Sequence, residues 1–144
     1  MNQLEYEQAI SEMVIPASKI IIWIETIEQK QYDQCNSVNR DLFGRVKIAA
    51  QNLVDLISEP QLDEQTEGSE IFAHILGGPI ITIRDSTKLM LVDYRESEGV
   101  YSKTEEEYIR YLKKINSAAE YLSSLNRDAV LNIMLAELNN KGEK

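Results

Sequence analysis

The one histidine of this chain, His74, lies in the run Phe72-Ala73-His74-Ile75-Leu76-Gly77-Gly78-Pro79-Ile80, five residues before a proline. An imidazole held on the outside of a helix is a nucleophile whose ring nitrogen an incoming group can reach in line. The other reactive residue types are poorly placed for chemistry. Cys35 is the only cysteine, so an intramolecular disulfide is excluded, and one cysteine with one histidine makes a poor zinc set. Glu105-Glu106-Glu107 reads as a charge cluster at a helix N-terminus, where carboxylates favour the helix dipole, and not as a metal site. No Ser-His-Asp set, phosphate-binding loop or paired-carboxylate motif is present. Neither a cofactor nor a metal is expected.

Helices must position this histidine, because apolar residues recur at three- and four-residue spacing with few breaks, the chain having three prolines and six glycines. The spacing predicts helices near 3–30, 38–58, 69–94 and 104–139. Pro79-Ile80-Ile81-Thr82-Ile83 has β-branched character but continues into helical spacing, so it is read as helix. The expected fold is all-α: an antiparallel four-helix bundle built from two helical hairpins in a single domain, 1–144. Hairpin 1 spans about 3–58, an acidic linker 59–68, and hairpin 2 about 69–139. Thr104 with Glu107 has the pattern of a capping box for the last helix, and Gly142 is a plausible stop. That helix carries a bundle seam: Tyr108, Leu112, Ile115, Ala119, Leu122, Asn126, Ala129, Ile133 and Ala136. Asn126 either fixes register there or sits half-buried and solvated, and the second is preferred. Tyr108, Tyr111 and Tyr121 read as packing, and Trp23 with Ile20–Ile24 as core, with some of that apolar excess free for a docking face.

At about 100° per residue, Phe72, Leu76, Ile80, Ile83, Thr87 and Met90 share a sector opposite His74. The imidazole should then point away from the core, beside Ile81 and Asp85. Gly77-Gly78-Pro79 works against a continuous helix there, since glycine costs about 1 kcal/mol in a helix interior and proline removes a hydrogen bond. The glycines either end a helix or let a partner's backbone approach His74 closely, and the first reading is preferred.

The two halves also resemble one another. Met13, Pro16, Ala17, Ile20, Ile24 and Ile27 reappear 63 positions later as Leu76, Pro79, Ile80, Ile83, Thr87 and Met90. Val46, Ala49, Ala50, Leu53 and Leu56 reappear 69 positions later as Ile115, Ala118, Ala119, Leu122 and Leu125. A hairpin cannot cover its own apolar stripe, so two must pair. Ser11 occupies the place in the first half that His74 holds in the second.

With His74, Leu76, Pro79 and Ile80, and with the Ile115, Ala118-Ala119 and Leu122 face, the region 70–126 resembles the dimerisation and histidine-phosphotransfer domain of sensor histidine kinases. The resemblance implies a two-component signalling protein in which His74 is a candidate phosphoacceptor. Ile75, Gly77, Gly78, Ile81 and Asp85 would flank it as a docking surface for a response regulator receiver domain or a histidine kinase. One chain supplying both hairpins would be a monomeric pseudo-dimer; a homodimer is the other arrangement. The departures from the family pattern bear on activity. Ile75 stands where the family carries an acid that activates the histidine, and Gly78 where it carries a polar residue. Nothing resembles the kinase nucleotide-binding domain, so autokinase activity is not expected. There remain phosphotransfer from another protein, a non-catalytic module that binds a kinase or regulator as adaptor or inhibitor, and a structural adaptor outside any phosphorelay.

Bulk composition excludes other classes. A chain of 144 residues with 43% hydrophobic residues can bury one core. A net charge of −9 argues against nucleic acid, whose binding needs phosphate neutralisation. It serves solubility first and attraction of a basic-faced partner second. The longest apolar run, Ile20-Ile21-Ile22-Trp23-Ile24, is far short of the roughly 20 residues that cross a bilayer. Glu5, Glu7 and Glu12 argue against a signal peptide, so no membrane association and a cytoplasmic location are expected.

Overall fold

The computed structural model describes residues 3–32, 37–58, 71–96 and 102–142. Helix α1 runs Gln3–Gln29 and helix α2 Ser37–Ser58. A π-helical turn, Ile71–Leu76, leads directly into α3, Gly77–Glu96, and α4 runs Lys103–Gly142. No strand occurs among the described residues. The acidic linker 59–68 and Cys35 lie outside them.

Packing runs round a ring, α1 on α2, α2 on α3, α3 on α4 and α4 back on α1. Cross-helix contacts set the directions. Lys47 of α2 reaches Glu28 near the end of α1 at 2.7 Å. Arg84 of α3 meets Ser123 of α4, while the later Tyr94 packs edge-on against the earlier Tyr108. Gln8 and Ala9 at the start of α1 line a crevice with Asn132 and Ile133 near the end of α4. Neighbours therefore alternate up and down, giving an antiparallel four-helix bundle of two hairpins around one core.

Helical periodicity accounts for that core. Met13, Ala17, Ile20, Ile24 and Ile27 of α1 are buried, and 63 positions on so are Leu76, Ile80, Ile83, Thr87 and Met90. Pro16 and Pro79, between them, are both half-buried. On the second helices Val46, Ala50 and Leu53 correspond to the buried Ile115, Ala119 and Leu122, and Phe43 to Leu112. Equivalent positions of the two hairpins thus do the same packing work.

The halves differ where Ile24 corresponds to Thr87. Thr87 is fully buried, and its Oγ1 donates to the carbonyl of Ile83 at 2.7 Å. Asn116 of α4 donates from Nδ2 to Thr87 Oγ1 at 3.0 Å and to the carbonyl of Arg84 at 2.9 Å. A buried hydroxyl that would otherwise lack a donor is satisfied across the α3–α4 seam. Asn39, also fully buried, has no hydrogen-bond partner for either side-chain polar atom.

Three local expectations change. Ser102, not Thr104, caps α4: its Oγ accepts from the Glu105 N–H at 3.2 Å, and Glu105 reaches back to the Ser102 N–H and hydroxyl. Both pairs have the capping-box spacing, but the helix starts at Lys103, and Glu107 is drawn instead to Tyr32, just past the end of α1. The helix does not end at Gly77-Gly78, since the backbone stays helical from Ile71 to Glu96. The seam of α4 holds from Tyr108 to Ile133, but Ala136 is exposed. Asn126 is half-buried, with Oδ1 buried and without a partner.

Candidate functional site

His74 sits inside the π-helical turn, and the residues around it explain the turn. In an α-helix the Pro79 ring would press on the carbonyl of Ile75, four residues earlier, and its missing N–H would leave that carbonyl unpaired. A wider π turn before Gly77 shifts the preceding carbonyls out of α-helical register with Pro79, the third residue of α3, and so eases that clash within a continuous helix. Pro16 in α1 has no such relief and simply leaves the carbonyl of Glu12 without its usual donor.

Leu76 and Ile80 anchor the inner side of this segment, both essentially fully buried, and His74 is exposed on the outer side. Ile75, Ile81 and Asp85 are exposed as well. Gly78 is exposed, and a Cβ built on it meets nothing within 4 Å. Gly77 is buried and takes no part in the surface. Asp85 is tied to Arg84, Nε to Oδ1, at 3.0 Å. Among the described residues no carboxylate or hydroxyl bonds to His74, and no group of His, Cys, Asp and Glu is arranged to hold a metal. Ser11, the first-half counterpart, is also exposed, but its Oγ is bonded to the carbonyl of Gln8 at 2.8 Å. The arrangement presents an exposed imidazole with no hydrogen-bond partner among the described residues, on an outer face carrying exposed isoleucines.

Two features were not anticipated from the sequence. At the far end of the bundle the Tyr32 hydroxyl donates to Glu107 Oε2, and Lys30 Nζ lies 3.8 Å from the same oxygen. Gln31, between them in sequence, has a left-handed backbone with φ of 58° that closes α1. The Tyr32 hydrogen bond, aided by Lys30, holds the Glu107 carboxyl below its ordinary value. The same bond, with burial, raises the Tyr32 phenol. Lys30 is raised by the charges of Tyr32 and Glu107.

The second feature is a groove of about 690 Å³ between α1 and α4. From α1 it is lined by Glu12, Ile15, Pro16, Lys19 and Trp23, and from α4 by Arg110, Lys113, Lys114, Ser117, Ala118 and Tyr121. Trp23 is half-buried there while Ile20 and Ile24 are core, and Tyr121, expected to pack, is 54% exposed. Each helix alone shows only ordinary surface spacing; the groove exists because the fold sets two distant stretches side by side.

The site belongs to an all-α bundle of two hairpins carrying one exposed histidine. No protein-family model, curated protein or solved structure matches this chain. No helix among the described residues is long and apolar enough to cross a membrane.

Proposed function

We propose that this protein is a two-component-type signalling bundle that docks a response regulator receiver domain and takes a phosphoryl group from it on His74. The observation that carries the reading is the exposure of His74 on a π-helical turn whose inner side, Leu76 and Ile80, is locked in the core. π turns inside helices often mark functional positions. In the transfer, a ring nitrogen of His74 attacks the phosphorus of the regulator's aspartyl phosphate. The P–O bond breaks with the carboxylate leaving, a P–N bond forms, and the proton on the other ring nitrogen passes to water. Catalysis here is mostly in-line positioning, which an exposed imidazole flanked by Ile75, Gly78 and Ile81 permits. One chain supplies both hairpins of the bundle, as a monomeric pseudo-dimer.

The test is to incubate the purified chain with radiolabelled, phosphorylated receiver domains from the source organism. Acid-labile label on the wild type and none on His74→Gln is the expected result. Equal labelling of both, or labelling of neither by any receiver, overturns the proposal. A second reading, a pseudo-phosphotransferase that binds a regulator or kinase as adaptor or inhibitor, is favoured by one observation. Ile75 replaces the activating acid, and no other described carboxylate bonds the imidazole. Stable receiver binding that His74→Gln leaves intact, without label transfer, would select it.

A further inference from the structure

The groove between α1 and α4 carries charge of the wrong sign for this protein. The chain has a net charge of −9, yet the groove gathers Lys19, Arg110, Lys113 and Lys114 against the single carboxylate of Glu12. Its base is apolar and aromatic, the half-buried Pro16, Trp23 and Ala118, flanked by Ile15, 66% exposed, and Tyr121. An exposed cleft of this kind, cationic at the rim and apolar at the base, is a recognition surface for something acidic and amphipathic.

We propose that this groove binds an acidic amphipathic helix of a partner protein, laid between α1 and α4 as a fifth helix. Its shape fits that occupant. The lining residues fall at three- and four-residue steps on two antiparallel helices, and from Glu12 to Trp23 the trough spans about 16 Å at 1.5 Å per residue, some three helical turns. The groove is open to solvent and lies between two helices, which suits a helix with apolar anchors at i, i+3, i+4 and i+7. A small ligand prefers an enclosed cavity. Carboxylates beside those anchors meet Lys113 and Lys114 on one rim and Lys19 on the other. A second copy of this chain is a poor occupant, because a two-fold pairing of the groove with itself sets these cations against their own images. The proposal is independent of phosphotransfer, since His74 lies on the π turn before α3 and lines no part of the groove.

Trp23 is the only tryptophan, so its emission reports the groove directly. The probe is a synthetic helical peptide of about four turns, with leucines at i, i+3, i+4, i+7 and i+11 and glutamates flanking them; its control has lysine at every glutamate. The acidic peptide should shift Trp23 emission saturably, and its affinity should fall about tenfold from low to physiological salt. The double variant Lys113→Glu, Lys114→Glu should weaken binding at least about tenfold while leaving the helical circular dichroism intact, because both side chains are exposed. His74→Gln and Lys88→Glu should bind as wild type. No shift with the acidic peptide, equal binding of both peptides, or indifference to the charge reversal overturns the proposal. So does a dimer in sedimentation that buries Trp23, which would make a second copy the occupant. Binding of anilinonaphthalene sulfonate without binding of the peptide would make the groove a small-anion site and overturn it equally.

Discussion

Breaking the Thr87–Asn116 hydrogen bond should reveal a coupling across the α3–α4 seam of definite sign. Thr87→Val keeps the volume but removes the hydroxyl, losing its 2.7 Å bond to the Ile83 carbonyl and the 3.0 Å bond from Asn116. Valine also relieves the burial of a polar group, and the half-buried Asn116 keeps Arg84's carbonyl, so the net loss is about 0.5–1 kcal/mol. Asn116→Ala costs more, about 1–2 kcal/mol, because a fully buried oxygen is left without a donor and part of a side chain is lost with it. In the double variant the shared bond is removed once instead of twice. Its destabilisation should fall short of the sum of the singles by about 0.5–1 kcal/mol. Urea unfolding followed by circular dichroism measures all four proteins, and an unchanged m-value certifies that stability alone has moved. Thermal midpoints should drop by about 3 °C per kcal/mol for a chain of this size. Additivity within about 0.3 kcal/mol would refute the reasoning and reduce the contact to an incidental one.

Gly44 lies inside α2, and a Cβ added there would meet nothing within 4 Å, so Gly44→Ala should raise stability by about 1 kcal/mol in the same assay. A decrease would mean that this surface of α2 is covered. The Tyr32–Glu107–Lys30 cluster should make stability pH-dependent at both ends. Glu107 is held below its ordinary value of 4.5, so its contribution is complete above that pH and is lost as the pH falls below it. Tyr32 and Lys30 are raised above 10.0 and 10.5, so theirs is complete below those values and is lost as the pH rises past them. Glu107→Gln should flatten the acid limb of a plot of stability against pH; an acid limb identical to wild type would remove Glu107 from the account.

Much of this architecture was legible because helical period is a one-dimensional signal. The sector holding Leu76, Ile80, Ile83, Thr87 and Met90 is buried and His74 is exposed, the side chain of Phe72 lying outside the described ones, and the seam of α4 is buried from Tyr108 to Ile133 apart from the half-buried Asn126. What escaped needed a third dimension. Glu107 fits a capping box with Thr104 by spacing alone, and only the approach of Tyr32, just past the end of α1, shows where its carboxylate goes. The α1–α4 groove joins residues about a hundred positions apart in the chain, with no local motif to announce it. Gly77 and Gly78 look alike in sequence, yet one is buried and the other open, because neighbours on α3 face about 100° apart and only packing against the other helices shows which face is covered.

The end cluster has a consequence for assembly. Lys47–Glu28 lies within the first hairpin and Arg84–Ser123 within the second, whereas Tyr32 and Lys30 meeting Glu107 joins one hairpin to the other. The two hairpins bury matching apolar positions, so hydrophobic packing alone discriminates weakly between a hairpin pairing with its mate, with another copy of itself, or with the same half of a neighbouring chain. Tyr32, Lys30 and Glu107 make the mixed pair the favoured one, and tethering in one polypeptide adds an effective concentration that free hairpins lack. A chain cut between Ser58 and Ile71 would turn folding into a bimolecular reaction in which that polar clasp adds to the core in choosing the partner.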